Sequence, residues 1–173
     1  MAPGQRVRPT ADRVREALFS ILGERVPGAD LLDAYSGSGA LGFEALSRGA
    51  REAVFIEADR AVLRALRETA EALGLAGRCR ILGGRVLDLL RRGAAAGPYD
   101  LILADPPYLG DEAAPFLDSA AGLLAAEGLL VLERPAGAHR LAPPAARLEP
   151  VRRARYGSSC LEFFARADPA SPG

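Results

Sequence analysis

Short apolar runs alternate with amphipathic stretches along most of the chain. Five of these runs are typical of strands in a parallel sheet that is covered on both faces, and the stretches between them have helical spacing of apolar residues. The predicted strands are 31–35, 53–57, 79–82, 99–104 and 129–133. The predicted helices are 12–22, 41–47, 60–73, 86–92 and 115–126. Two later runs, 147–154 and 160–166, predict paired strands joined by a turn at 156–158.

This alternation predicts an α/β fold, with a doubly wound, mostly parallel seven-stranded sheet that ends in an antiparallel hairpin. Thr10 is a candidate N-cap of the first helix and Asp59 of the third. A length of 173 residues fits one structural domain that needs no disulfide or metal to fold. Within it we expect a basic segment and helix at 1–27, the main α/β domain at 28–167 and a disordered tail at 168–173.

Histidine and cysteine are too few for several catalytic chemistries. The single His139 has no GxSxG motif to accompany it, which disfavours serine–histidine catalysis. Cys79 and Cys160 are 81 residues apart, so they offer neither zinc-ligand spacing nor a CxxC redox pair, and we expect no metal. The sequence has no run approaching 18 uncharged apolar residues and no apolar signal core at its start. We therefore expect a soluble, cytoplasmic protein with no membrane partner.

Charge is distributed unevenly along a chain whose formal net charge is zero. Residues 26–133 contain ten arginines against sixteen acidic residues, whereas residues 134–166 contain seven arginines against two. Basic ends on either side of an acidic middle can place an anionic partner on one surface. A solvated charged face explains the same pattern nearly as well.

A glycine-rich sequence, SGSGALG at 36–42, follows the first predicted strand. It contains GxGxxG, whose glycines allow the backbone to approach a ligand closely. Alternatively, the glycines only form a tight turn between strand and helix. Glu57 ends the second strand, where a carboxylate can bridge the two ribose hydroxyls of NAD or of S-adenosylmethionine. Asp33 ends the first strand and favours S-adenosylmethionine, because a carboxylate repels a pyrophosphate but suits an ammonium group. A helix-capping role for Asp33, with no ligand, is the alternative.

The sequence Asp105-Pro106-Pro107-Tyr108 directly follows the fourth predicted strand. Its two prolines stiffen the loop and remove two backbone donors, which leaves acceptors facing the ligand edge of the sheet. Acceptors that hold the N–H groups of a base amine would orient its lone pair toward a sulfonium methyl group. Tyr108 can stack on such a base once the base leaves its neighbours. Alternatively, this sequence is a turn that simply ends a strand.

Three motifs resemble those of the bacterial 16S ribosomal RNA guanine-N2 methyltransferases. They are RPTADRVREALF at 8–19, SGSGALGFEALSRGA at 36–50 and DPPY at 105–108. The resemblance covers about residues 8–166; the first two motifs are specific to this group, and the third is shared by many amino-methyltransferases. It implies a Rossmann-like class I methyltransferase fold, S-adenosylmethionine as cofactor, and N2-methylguanine in small-subunit ribosomal RNA as product.

The resemblance also assigns roles to the candidate site residues. It implies that the methionine part of the cofactor is held by Asp33, Gly37 and Gly39. It also implies that Glu57 holds the ribose and that Asp105 with Tyr108 holds the target base. Arg85 stands where relatives commonly have an Asp or Asn that faces adenine. The candidate cofactor-binding residues are Asp33, Ser36, Gly37, Gly39, Glu57, Arg85 and Asp105. The candidate catalytic residues are Asp105, Pro106, Pro107 and Tyr108.

The expected partner is 16S ribosomal RNA or the small ribosomal subunit, bound by a monomer. A basic rim from both ends of the chain is predicted to contact it, formed by Arg8, Arg13, Arg15, Arg152, Arg153 and Arg155. Relatives usually carry a β-hairpin of about twenty residues before the RPT sequence, whereas seven residues precede Arg8 here, a departure that concerns part of the expected RNA-binding surface.

Other targets and a non-catalytic role remain open at this stage. Enzymes that methylate adenine or cytosine in DNA, or a protein glutamine, use a similar set of hydrogen-bond acceptors to hold the target nitrogen. The length leaves no separate target-recognition domain, which disfavours a sequence-specific DNA enzyme. A non-catalytic nucleic-acid-binding module with this fold is the alternative from a different class.

Overall fold

The computed structural model describes residues 9–106, 112–139, 141 and 147–167. Arg8, Pro107, Tyr108 and the predicted tail at 168–173 lie outside these residues. Within the described ranges, no helix is both long enough and apolar enough to cross a membrane.

Seven strands form a single sheet in the order β3-β2-β1-β4-β5-β7-β6. The strands are β1 (Asp30–Asp33), β2 (Glu52–Glu57), β3 (Cys79–Gly83), β4 (Tyr99–Ala104), β5 (Leu124–Pro135), β6 (Leu148–Tyr156) and β7 (Ser159–Arg166). The first five are parallel, β7 is antiparallel to β5, and β6 is antiparallel to β7. The predicted fold class is therefore confirmed. The strand order reverses at β1 and β4, which is where open α/β sheets bind ligands.

Helices cover both faces of the sheet. They are α1 (Pro9–Leu22), α2 (Ala40–Ser47), α3 (Arg60–Ala72), α4 (Val86–Arg91) and α5 (Ala113–Ala121), with short 3₁₀ helices at Gly23–Arg25 and Ala76–Arg78. Helices α1 to α3 pack on one face and α4 and α5 on the other. Successive strand residues point to opposite faces, so Leu31 enters the first core and Leu32 the second. Both are fully buried, which is why the strands have continuous apolar runs.

The two predicted N-caps have different outcomes. Asp59 is the N-cap of α3, and its Oδ1 accepts hydrogen bonds from the N–H groups of Ala61 and Val62 at 2.7 and 3.0 Å. The prediction for Thr10 is wrong, because α1 begins one residue earlier, at Pro9. Proline is favoured in the first turn of a helix because its missing N–H has no intrahelical partner there.

The predicted helix at 115–126 is wrong at its carboxyl end. Helix α5 stops at Ala121, and β5 begins at Leu124, which is paired with Tyr99 of β4. A β-bulge in this pairing lies between Tyr99 and Leu101. A Cβ on Gly128 would come within 2.9 Å of the Tyr99 carbonyl oxygen, so glycine permits this close approach. Strand pairing overrides the helical propensity of the alanine-rich residues here.

Candidate active site

A cavity of about 450 Å³ lies at the carboxyl ends of β1 to β4. This volume is within the range of small-molecule pockets. Four of the predicted cofactor residues, Gly37, Glu57, Arg85 and Asp105, come together around it. The full set of described residues lining the cavity is Tyr35, Gly37, Ile56, Glu57, Ala58, Gly84, Arg85, Val86, Asp105 and Glu112.

The two glycines of the predicted loop have different structural roles. Gly37 has φ +51°, and a Cβ built on it would meet nothing within 4 Å, so its surface is open to the cavity. Gly39 has φ +78°, and a Cβ there would lie 2.6 Å from carbon atoms of Leu66 and Phe43. A side chain at Gly39 would therefore meet protein, so glycine here lets α2 and α3 pack closely, and the predicted contact of Gly39 with the cofactor stays a prediction.

Ser36 likewise faces away from the cavity. Its hydroxyl lies 2.8 Å from the carbonyl oxygen of Asp33 and 3.1 Å from that of Ile56, and it donates to this pair of acceptors. The residue is 8% exposed. These contacts join the loop to the ends of β1 and β2, and the predicted cofactor contact of Ser36 stays a prediction.

Glu57 joins three backbone segments at the end of β2. Its Oε2 accepts a hydrogen bond from the Gly37 N–H at 3.0 Å. Its Oε1 accepts from the N–H groups of Ala58 and Asp59 at 2.7 and 2.8 Å. One carboxylate therefore fixes the glycine loop against the strand and the start of α3, at the place where the ribose is expected.

Asp33 is the last residue of β1 and is not among the described residues that line the cavity. It is 1% exposed, and its Oδ2 accepts a hydrogen bond from the Gly42 N–H at 3.1 Å. Burial raises the pKa of Asp33 to about 7; the Gly42 hydrogen bond lowers it, and the charges of Asp105 and Glu57 raise it further. The hydrogen bond from Gly42 ties β1 to α2, and the cofactor contact predicted for Asp33 stays a prediction.

Asp105 follows β4 at the opposite side of the cavity from Arg85. Its carboxyl keeps an exposed surface, yet partial burial against the protein raises its pKa to about 6, helped by the charge of Glu133. The two acids are neighbours because Ala104 and Leu132 pair in the parallel register of β4 and β5. Of the other DPPY residues, Pro106 is buried, and the remaining two lie outside the described residues.

An ion pair between Arg85 and Glu112 joins the beginnings of α4 and α5. Arg85 Nη2 lies 3.1 Å from Glu112 Oε1, and both side chains line the cavity. Glu112 was not among the predicted site residues, although its position shortly after the DPPY motif and before a helix was a usable signal. Tyr35 was not among them either; its ring packs edge-on against Phe116 with ring centroids 5.5 Å apart. Burial raises the pKa of Tyr35 to about 12, with Glu112 adding to the rise and Arg85 opposing it.

Some arginines of the predicted basic rim are exposed, and others form contacts within the protein. Arg13, Arg152 and Arg155 are exposed, and Arg15 forms an ion pair with Asp12 at 2.9 Å. Arg153 contacts Glu162 at 3.4 Å and donates to the Ala138 carbonyl at 2.8 Å and to Cys160 Sγ at 3.0 Å. Glu162 is also paired with the buried Arg134 at 3.1 Å. Arg153 therefore takes part in a folding contact between β6 and β7, and its assignment to the rim stays a prediction.

The described part of the chain contains no group of three or more His, Cys, Asp or Glu side chains arranged to hold a metal ion.

Comparison with known proteins identifies the family. The chain matches the family described as conserved hypothetical protein 95 over residues 1–165. It belongs to that family. The family is also the one predicted from the three sequence motifs, which confirms the resemblance.

Several members of this family are similar in sequence over much of the chain. The ribosomal RNA small subunit methyltransferase D of Escherichia coli K12 is 40% identical over 135 residues, which are 76% of this chain and 65% of that protein. The Haemophilus influenzae protein of the same name is 36% identical over 103 residues, or 59% of this chain and 53% of its own length. The chain thus spans about two-thirds or less of these curated relatives.

Solved structures of relatives share the fold. The putative methyltransferase yhhF from Escherichia coli superimposes with a TM-score of 0.82 and 32% identity, covering 95% of this chain and 90% of that one. A hypothetical protein from Thermus thermophilus gives a TM-score of 0.76 and 33% identity, covering 95% and 92%.

Proposed function

We propose that this chain transfers the methyl group of S-adenosylmethionine to the exocyclic N2 amine of a guanine in small-subunit ribosomal RNA. The observation that carries this proposal is the concentration of negative charge around the glycine loop. Asp33, Glu57, Asp105 and Glu133 lie at the carboxyl ends of four strands. Beyond the effect of burial, the charges of Asp105 and Glu57 raise the pKa of Asp33, and the charge of Glu133 raises the pKa of Asp105. Such a site suits a ligand with a sulfonium and an ammonium charge and disfavours a pyrophosphate.

The residues around the cavity fit S-adenosylmethionine. Gly37 presents backbone with no side chain in the way, and Glu57 supplies a carboxylate for the ribose hydroxyls. Apolar groups of Ile56 and Val86 offer surface to the base. When bound, the cofactor supplies an electrophilic methyl group on a positively charged sulfur. The acidic edge formed by Asp33 and its neighbours stabilises that charge.

Asp105 is proposed to prepare the nucleophile. A guanine amine is a weak nucleophile because its lone pair is delocalised into the ring. The Asp105 carboxylate accepts one of its N–H groups and so aims the lone pair at the methyl carbon. As the carbon–nitrogen bond forms, the electron pair of the carbon–sulfur bond stays on sulfur, and the amine proton can pass to Asp105. The raised pKa of this carboxyl favours that proton transfer.

Ribosomal RNA is the target that the relatives support. Two relatives from different bacteria have names that specify methylation of small-subunit ribosomal RNA. The exposed Arg13, Arg152 and Arg155 provide cations that phosphates can contact. These observations favour RNA over DNA or a protein side chain as the methyl acceptor.

The test is methyl transfer to a defined acceptor. The protein is incubated with labelled S-adenosylmethionine and small ribosomal subunits from cells that lack this modification, with naked 16S RNA, duplex DNA and ribosomal proteins assayed in parallel. The proposal expects label in one N2-methylguanine of 16S RNA, mapped by nuclease digestion and mass spectrometry. Label confined to DNA or protein would contradict the proposed target. Absence of transfer together with tight RNA binding would indicate a non-catalytic module.

A further inference from the structure

The strand order fixes the direction in which the proposed cofactor lies across the cavity. Along the sheet edge, Gly84 and Arg85 follow β3, Glu57 ends β2, Gly37 follows β1, and Asp105 follows β4. In S-adenosylmethionine the ribose separates the sulfonium from the adenine. With the methyl group near Asp105 and the ribose at Glu57, the adenine must lie on the β3 side, against Arg85.

Adenine has one exocyclic amine, and this donor needs an acceptor once it leaves water. Among the described residues that line the cavity, three have carboxylates. Glu57 already accepts three backbone N–H groups, and Asp105 lies on the β4 side, away from the expected base. Glu112 is the carboxylate that remains, and it is joined to the β3 side of the cavity through Arg85.

The setting of Glu112 suits a contact with a ligand better than a role in its own helix. Glu112 occupies the N-cap position of α5, yet its side chain makes no capping hydrogen bond there. Its Oε1 instead accepts from Arg85 Nη2, the arginine that precedes α4. A carboxylate has about four lone-pair sites, so the hydrogen bond from Arg85 leaves it able to accept others.

We propose that the Glu112 carboxylate, oriented by Arg85, accepts a hydrogen bond from the adenine amine and makes the site selective for adenine over hypoxanthine. Hypoxanthine has a carbonyl oxygen in place of the amine, and this oxygen would face the carboxylate as a second acceptor. A site built to hydrogen-bond a donor rejects the analogue that lacks it. This inference rests on the proposed function, because it takes S-adenosylmethionine as the ligand.

Calorimetric titration with two product analogues tests the contact without a need for catalysis. S-adenosylhomocysteine and S-inosylhomocysteine are each titrated into the wild-type protein, the Glu112→Gln variant and the control Asp118→Asn, an exposed acid on the same helix. We expect the wild type and the control to prefer the adenine analogue by about tenfold or more. The Glu112→Gln variant should lose most of this preference, because an amide can either donate or accept. Arg85→Ala should reduce it partly, since Glu112 loses its orienting partner.

The outcomes separate the inference from the proposed function. Failure of S-adenosylhomocysteine to bind the wild type would overturn the cofactor assignment and this inference with it. Equal affinities of the wild type for S-adenosylhomocysteine and S-inosylhomocysteine would overturn only the Glu112 contact. Full wild-type preference in the Glu112→Gln variant would do the same. Thermal unfolding of each variant checks the fold, which should change little because exposed ion pairs contribute little to stability.

Discussion

Gly37 donates its backbone N–H to Glu57 Oε2 at 3.0 Å, so the proposed ribose-binding carboxylate also holds the loop that faces the cofactor. The same side chain accepts two further backbone N–H groups, from Ala58 and Asp59. Cofactor contact and loop geometry therefore depend on one residue. This coupling means that the shape of the cavity is set before a ligand arrives, which lowers the ordering cost of binding.

Glu57→Ala should weaken S-adenosylmethionine binding by ~1–3 kcal/mol, because the ribose hydroxyls and the Gly37 N–H lose one shared acceptor. Isothermal titration calorimetry measures the change. Glu71→Ala, which removes an exposed acid from α3, is the matched control and should bind as the wild type does. Unchanged affinity in the Glu57 variant would remove this residue from the site.

Gly37→Ala and Gly39→Ala should separate binding from folding. Both glycines have positive φ, so each alanine costs ~1–2 kcal/mol of backbone strain. Gly37→Ala places its methyl group in open space and should mainly lower cofactor affinity. Gly39→Ala forces a methyl group against Leu66 and Phe43, and should lower the free energy of unfolding by ~2–4 kcal/mol in total. Urea denaturation and calorimetry on both variants check this, and the reverse pattern would contradict the assignment of the two glycines.

Asp33→Asn should stabilise the protein at alkaline pH. Burial raises the pKa of Asp33 from 3.8 to about 7, so the folded state holds this proton more tightly than the unfolded state. The stability that this more tightly held proton contributes is fully present below pH 4 and is lost as the pH rises through 7. The asparagine does not titrate, and its carbonyl oxygen can still accept from the Gly42 N–H. The variant should gain ~2–4 kcal/mol over the wild type between pH 4 and pH 8 in urea denaturation. If the difference in the free energy of unfolding between the variant and the wild type does not change with pH, Asp33 does not titrate in this range.

Asp105→Ala should lower kcat by ~10²–10³-fold and leave cofactor affinity nearly unchanged. The carboxylate is the acceptor form, so wild-type single-turnover rates should rise with pH through about 6, the pKa of Asp105. Asp105→Asn keeps one acceptor oxygen, so it should be more active than the alanine variant and lack this inflection. Methylation by Asp105→Ala at the wild-type rate would show that the DPPY loop has only a structural role.

Arg152→Ala or Arg155→Ala should weaken RNA binding and reduce the log–log salt slope by ~0.7 for each phosphate contact removed. Both side chains are exposed on β6. Arg153→Ala is the informative comparison, because Arg153 contacts Glu162 and the Ala138 carbonyl. Arg153→Ala should lower the midpoint temperature of unfolding and change the salt slope of RNA binding only slightly. Filter binding across a salt series measures the slopes, and a slope unaffected by the Arg152 and Arg155 changes would rule out the predicted rim.

The sequence was sufficient to predict the sheet but not every boundary. Short runs such as Tyr99–Ala104, apolar apart from Asp100, favour strands buried on both faces, so the parallel core was predictable. The alanine-rich residues before Gly128 have helical propensity, yet they lie in β5. Their conformation depends on pairing with Tyr99, and no local pattern reveals such a partner.

The candidate site was predictable by motif but not by side-chain direction. Gly37 and Glu57 line the cavity as expected, because both follow the carboxyl ends of strands. Ser36 and Gly39 belong to the same motif but face protein, since one contacts the Ile56 carbonyl and the other packs near Leu66. Those contacts come from elements that are distant in sequence, so neighbouring loop residues can have opposite orientations for reasons that the motif does not contain.

The outer edge of the sheet has a consequence for solubility. Strand β6 is an edge strand, and its pairing with β7 is interrupted by a bulge between Pro150 and Arg152. Proline offers no N–H to an incoming strand, and the exposed charges of Arg152 and Arg155 repel another copy of the same edge. These features oppose edge-to-edge aggregation, so the strand that is proposed to present cations to a nucleic acid also keeps the sheet from growing into a fibre.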